Sequence, residues 1–316
     1  MHSDTRTILI TGAAGFLGTY LADLCAGYGA RLVGIDVNPP RKPAIWQAFH
    51  SISCESPLVG DVMRKERVTT VFHLAGGASV PMSVQNPFQD FSSFVPGTAN
   101  LASYVREQSQ CALVLFSSAA VYGNPISLPV HENAAIAPIS PYGIHKAVGE
   151  GLLEHYARIF GFPLRIIRIF SAYGPGLRKQ LIWDICEKAF AAVESGSDHI
   201  DLFGTGFETR DFIHVRDVAR AALHVSSLAP DHPTTVFNVA SGIQTRISEV
   251  AHKIVSQIDP RLKLTFSGTV RTGDPCQWCA DVSKLSAGGF ECTTSLDEGI
   301  KEVVEWARGI RGRVQD

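Results

Sequence analysis

The chain has 316 residues, 45% hydrophobic and 18% charged, with 28 glycines and a formal charge of -2, enough for one large domain or two modest ones. A charge this close to zero leaves no broad basic field for a nucleic-acid backbone. The N-terminal stretch MHSDTRTILITGAAG lacks an apolar core with a small-residue cleavage site, and no window approaches the roughly eighteen apolar residues that cross a bilayer, which places the chain in the cytoplasm with no membrane partner.

The first predicted strand is TILI, residues 7–10, followed at once by TGAAGFLGTYLADLCAGYGA with its helical apolar pattern and then by RLVGID, which closes on Asp36. This is one strand, helix, strand unit. Gly12, Gly15 and Gly18 lie in its first turn, where missing side chains let backbone approach a pyrophosphate lying on the helix N-terminus. Asp36 stands where a carboxylate accepts hydrogen bonds from the ribose hydroxyls of NAD and repels the extra phosphate of NADP; its bland alternative is a cap on the turn DVNPP. Asp61, in VGDV, lies where a loop after the third strand reaches an adenine ring or simply makes a turn.

VTTVFHLAG (68–76) and ALVLFSSAAVYG (112–123) read as further buried strands, separated by a helical stretch at 87–108, and FPLRIIRIF (162–170) as another. Strands alternating with helices predict a doubly wound α/β fold of the Rossmann type, its parallel sheet covered on both faces. The cofactor-binding domain is expected over 1–170 and a smaller substrate lobe over 171–316, with 211–240 packing back on the first domain. Seven irregularly spaced cysteines fit reduced thiols. The CxxC of Cys276 and Cys279 lacks two further ligands, and His73, His145 and His214 show no ligand spacing, so no metal is expected.

SPYGIHKAVGE, residues 140–150, places Ser140 as a helix cap, Pro141 in the first turn, and Tyr142 and Lys146 one turn apart on one face. An ammonium a few Å from a phenol stabilises its phenolate and makes a usable base for a hydroxyl. A YxxxK alone is commonly a helix-surface pair. Ser117 and Ser118, leaving the carboxyl end of a predicted strand, change that balance, because open α/β sheets bind ligands at that edge.

Together TGAAGFLG, Asp36, HLAG, SSAAVYG, YGIHK and RIFSAYGPG resemble the extended short-chain dehydrogenase/reductase family, in its NAD-dependent sugar-nucleotide epimerase/dehydratase branch, over nearly the whole chain. The resemblance implies Ser118 as the catalytic hydroxyl, Tyr142 as the base and Lys146 as its partner. It implies cofactor contacts at Phe16, Leu17, Val62, Leu74 and Ala75 beside the glycines, Asp36 and Asp61. For the substrate, a nucleoside-diphosphate sugar and foremost a UDP-sugar, it implies Ser79, Ser118 and Ser171, with Phe203 stacking on the base and Arg210 and Arg271 on the diphosphate. The residue-level alternatives are a packed ring for Phe203 and ion pairs with Asp211 or Asp217 for Arg210. A homodimer through helices near 87–108 and 141–160 is also implied.

Ala119 and Ala120 follow Ser118, where dehydrating members of the family carry an acidic pair and decarboxylating ones a glutamate. Without a second acid, oxidation and re-reduction at one carbon remains: epimerisation at carbon 4, with NAD recycled. A one-way reductase or dehydrogenase acting on a 4-keto sugar nucleotide or other hydroxyl compound is the alternative enzyme, and a non-catalytic NAD sensor the alternative class. The chain departs from the family in FVPGT, with Phe94 and Pro96 where polar residues are usual, and in Ser171, where asparagine is common. Trp278 resembles in position a gate residue whose bulk would exclude an N-acetyl group; plain core packing is its alternative.

Overall fold

The computed structural model describes residues 6–108, 111–228, 234–269 and 276–312. β1 (Thr7–Thr11) runs through the glycine turn into α1 (Phe16–Gly27) and β2 (Arg31–Ile35). A short β3 (Ala48–His50), α2 (Leu58–Glu66) and β4 (Thr70–His73) follow, then α3 (Val80–Gln85), α4 (Pro87–Val105), β5 (Ala112–Ser118), α5 (Pro141–Phe160) and β6 (Leu164–Ile169). The second half contributes β7 (Ser171–Tyr173), α6 (Gln180–Ser195), β8 (His199–Leu202), β9 (Thr209–His214), α7 (Val215–Ser227) and β10 (Thr234–Val239). It ends with β11 (Gln244–Arg246), α8 (Ile247–Ile258), β12 (Lys263–Phe266), α9 (Ser283–Ala287) and α10 (Leu296–Gly312).

Seven strands form one parallel sheet in the order β10-β6-β5-β4-β1-β2-β3. The chain reverses direction across the sheet between β1 and β4, and it is at such a reversal that a crevice opens beyond the carboxyl ends of the strands. Strands apolar on both faces need cover on both, and they have it. α1 and α7 bury Leu21, Cys25, Val218 and Val225 on one side; α2, α4 and α5 bury Val59, Met63, Leu101 and Leu153 on the other. The edge strand β10 comes from residues 234–239, so the main sheet is closed by chain that has already visited the second lobe.

That lobe holds a three-stranded sheet, β11-β9-β7, and the pair β12-β8, packed with α6, α8 and α10 around Ile185, Ile254, Ile300 and Val304. A cleft of about 1690 Å³ runs between the lobe and the carboxyl ends of β1, β2, β4 and β5. No helix among the described residues is long and apolar enough to cross a membrane.

Candidate active site

The cleft floor is the glycine turn. Gly12 has φ +68°, and a Cβ there would stand 2.8 Å from the Ala75 nitrogen; one on Gly18 would meet the Gly12 carbonyl at 2.3 Å. Both glycines are required by close backbone packing of the turn against the end of β4 and the start of α1. The cap position of α1 is Gly15, with no side-chain bond to the first turn, so the helix offers its leading N–H groups to the cleft. Asp36 follows β2 and lines the cleft. Its Oδ2 accepts from the Ala14 nitrogen at 3.0 Å and its Oδ1 from Asn38 at 2.8 Å, so it braces the glycine turn and its own turn together. A carboxylate has about four acceptor positions, which leaves capacity for ribose hydroxyls. A bare cradle, a free helix start and an acidic rim fit a dinucleotide.

Phe16, Leu17, Leu74, Ala75 and Ser79 also line the cleft, whereas Asp61 and Val62 do not. Both lie in α2, where Asp61 is 69% exposed and paired with Arg64 at 2.8 Å, and Val62 is packed in the core. Residues 59, 62 and 63 make the buried stripe of an amphipathic helix, and that periodicity overrides the turn reading of VGDV. Ile52, Ser53 and Cys54, just after β3, take the place beside Asp36 instead.

Ser140 caps α5 by accepting from the Gly143 nitrogen, Pro141 opens it and Gly161 ends it in the left-handed conformation. Tyr142 and Lys146 both line the cleft, with the Lys146 Nζ 5.8 Å from the Tyr142 ring centre. The two serines at the end of β5 part company. Ser117 donates to the buried Glu150. Ser118 lies at the cleft with Tyr142, accepts from the Ala120 nitrogen at 3.2 Å, and its hydroxyl acts to lower the pKa of the Tyr142 phenol.

The electrostatics differ from the expectation that the ammonium holds the phenol down. Burial raises the Tyr142 pKa, with the Ser118 bond lowering it and the Asp90 charge raising it further. Burial also lowers Lys146, to about 8, with Asp90 and Glu150 opposing the fall. The ammonium donates to the Phe116 carbonyl at 3.2 Å and sits 3.9 Å from the Phe94 ring centre. Phe94, the departure from the family's usual polar residue, thus supplies a cation–π seat on the helix face.

Behind the site is a charge network that the sequence did not reveal. Arg168, in the buried β6, donates to Glu150 Oε2 at 2.7 Å, to the Tyr122 hydroxyl at 3.0 Å and to the Glu132 carbonyl at 2.8 Å. Tyr122 donates in turn to Asn238 at 2.7 Å, and burial pushes its pKa to about 12. His73 is held between Thr11 and Thr98, and burial lowers its pKa to about 3. His145 pairs with Asp90, and His214 caps α7. Among the described residues no group of three His, Cys, Asp or Glu side chains is placed to hold a metal, and Cys276 and Cys279 are free thiols.

On the substrate side, Ser171, Phe203, Arg210 and Trp278 line the cleft; Arg271 lies outside the described residues. Phe203 is 53% exposed, so it is not the packed ring of the bland reading. The Arg210 guanidinium sits 5.5 Å from the Trp278 ring centre. Trp278 donates to the Gly123 carbonyl at 3.1 Å and packs edge-on against Phe170, standing over the turn that follows Ser118. Lys179, at the start of α6, reaches across the cleft to the Ala78 carbonyl at 2.9 Å; no local pattern singled it out.

Known proteins share this fold. A UDP-glucose 4-epimerase of Azospirillum brasilense is 28% identical over 326 residues, covering 97% of this chain and 93% of that protein. The solved UDP-glucose 4-epimerase of Thermotoga maritima with UDP-glucose superposes with a TM-score of 0.85 at 28% identity, over 97% of this chain and 100% of that one. The UDP-glucuronic acid 4-epimerase of Bacillus cereus with UDP-glucuronic acid and NAD does so at 0.83 and 25% identity, over 96% of this chain and 100% of that one. The model of the NAD dependent epimerase/dehydratase family matches residues 8–240, and the chain belongs to that family.

Proposed function

We propose that this protein is an NAD-dependent UDP-sugar 4-epimerase that oxidises carbon 4 of the sugar and returns the hydride to its opposite face. The observation that carries the reading is the meeting of Ser118, Tyr142 and Lys146 at the end of β5, followed by the buried Ala119 and Ala120 in place of any further acid. NAD, when bound, supplies the hydride acceptor and donor and, in its oxidised form, a positive charge that draws the phenol pKa down. Tyr142 takes the proton of the 4-hydroxyl through the Ser118 oxygen and gives it back after the 4-keto sugar has turned. Lys146 keeps a positive charge beside the phenol. Arg210, with Arg271 and Ser171, would hold the diphosphate, because guanidinium groups offer fixed donors and never lose their charge.

The outer face of α4 and α5 carries Phe88, Phe91, Ile144, Val148 and Ile159, all well exposed. A second copy of the chain covering this apolar face makes a homodimer. Native mass spectrometry should therefore find a dimer with NAD retained, and incubation with UDP-galactose should give UDP-glucose without build-up of NADH. One NADH released per turnover would establish the one-way dehydrogenase instead.

Trp278 limits the sugar. UDP-N-acetylhexosamines are expected to turn over poorly, and Trp278→Leu should raise their kcat/KM by about tenfold or more relative to the plain hexose. Equal turnover of both sugar classes by the unmodified protein would contradict a gate at this position.

A further inference from the structure

Packing of α4 against α5 sets two residues of one helix against two of the other. Asp90 and Phe94, one turn apart on α4, face His145 and Lys146 on α5. The Asp90 Oδ2 lies 2.6 Å from the His145 Nδ1, and both side chains are largely buried, at 8% and 13% exposure. Phe94 lies under the lysine ammonium and fills the space over Gly149, where a Cβ would strike its ring at 2.5 Å. Asp90 also lines the cleft together with Tyr142 and Lys146, and its Oδ1 comes close to Gly77 in the loop after β4.

We propose that Asp90, anchored by His145, is a positioning residue for the catalytic pair: its carboxylate holds the charge on Lys146 and sets the pH range over which Tyr142 and Lys146 work together. The proposal rests on the reading of these two residues as base and partner. The Phe116 carbonyl and the Phe94 ring that touch the ammonium are uncharged seats, so a full opposite charge must come from further off. The charged and titratable groups facing this point are Asp90 from α4; Tyr142, His145 and Glu150 from α5; His73 from β4; and Arg168 from β6. Arg168 is spent on Glu150 through a two-nitrogen contact, and His73 is held neutral by burial. Among the described residues that leaves Asp90, whose ion-pair partner is His145, as the carboxylate on the facing helix whose charge acts on Lys146. The Asp90 charge raises the pKa of both Lys146 and Tyr142.

With oxidised NAD bound, its positive charge drawing the phenol below the ammonium, the acid limb of the rate profile reports loss of the tyrosine proton and the alkaline limb loss of the lysine proton. Asp90→Asn keeps an acceptor for His145 but removes the charge, so both limbs should move to lower pH by about half a unit to one unit. A merely structural role would lower the rate and leave both limbs in place, and that result would overturn the proposal. Asp90→Ser, also uncharged, gives the same reading if the asparagine variant does not fold. Phenolate absorbance of the NAD-bound protein, taken as the difference from Tyr142→Phe in the native and Asp90→Asn backgrounds, measures the phenol directly. It needs no turnover, so a downward shift of the phenol supports the proposal even if the protein epimerises no UDP-sugar. An unchanged phenol pKa counts against the proposal independently of the function.

Discussion

Arg168→Met should cost about 3–5 kcal/mol of stability, among the largest effects of any single change in this chain. The guanidinium lies in the middle of a fully buried strand and is the cationic partner of Glu150, whose own side chain is 5% exposed. Removing it leaves a core carboxylate whose remaining hydrogen-bond partner among the described residues is Ser117, and frees the Tyr122 hydroxyl and the Glu132 carbonyl of this donor. Thermal unfolding should show a midpoint lower by roughly 5–8 °C. Breaking a buried pair costs far more than never having had it, so Arg168→Met combined with Glu150→Leu should recover most of the loss. A single variant as stable as the parent would mean that water or another cation reaches Glu150.

Tyr142→Phe should lower the epimerisation rate by about 10² to 10⁴, the usual worth of a positioned general base, while changing stability by no more than about 1 kcal/mol. The phenol lies at the cleft wall, where the Ser118 hydroxyl acts on it and itself lines the cleft, so among the described residues its loss strands no core group. The helix is held by other things: the Ser140 cap, the bond from the Tyr142 nitrogen to Ser83, and Phe94 across Gly149. NAD content should stay the same. A variant that keeps its cofactor and its rate would remove Tyr142 from the chemistry.

These two residues differ in how far the sequence foretells them. Tyr142 stands in a helix whose cap, opening proline and terminal glycine are all local signals, and Ser118 stands where an apolar run stops; each can be read within a dozen residues. The glycine turn and Asp36 are legible for the same reason. Arg168 is not, because RIIRI has no period that marks its partner, and Glu150 lies eighteen residues upstream on a helix surface that folding turns inward. β10 joins the main sheet beside β6 from residues 234–239, a pairing that depends on where the second lobe returns the chain. Asp61 lies in α2 and away from the cleft for a reason that was local: Val59, Val62 and Met63 spell a helix stripe, and the brevity of β3 hid that a strand had been passed. Phe94 looked like a defect in a polar position and is instead the face on which the lysine ammonium rests.

The central claim is that one hydrogen leaves carbon 4 and returns to the same carbon on the same molecule while Tyr142 handles only the hydroxyl proton. UDP-galactose carrying deuterium at carbon 4, incubated with the purified protein in ordinary water, tests it. The product UDP-glucose should keep its full deuterium at carbon 4, read by mass and by NMR. Product with hydrogen from water at that carbon, or deuterium recovered in free NADH, would contradict the account.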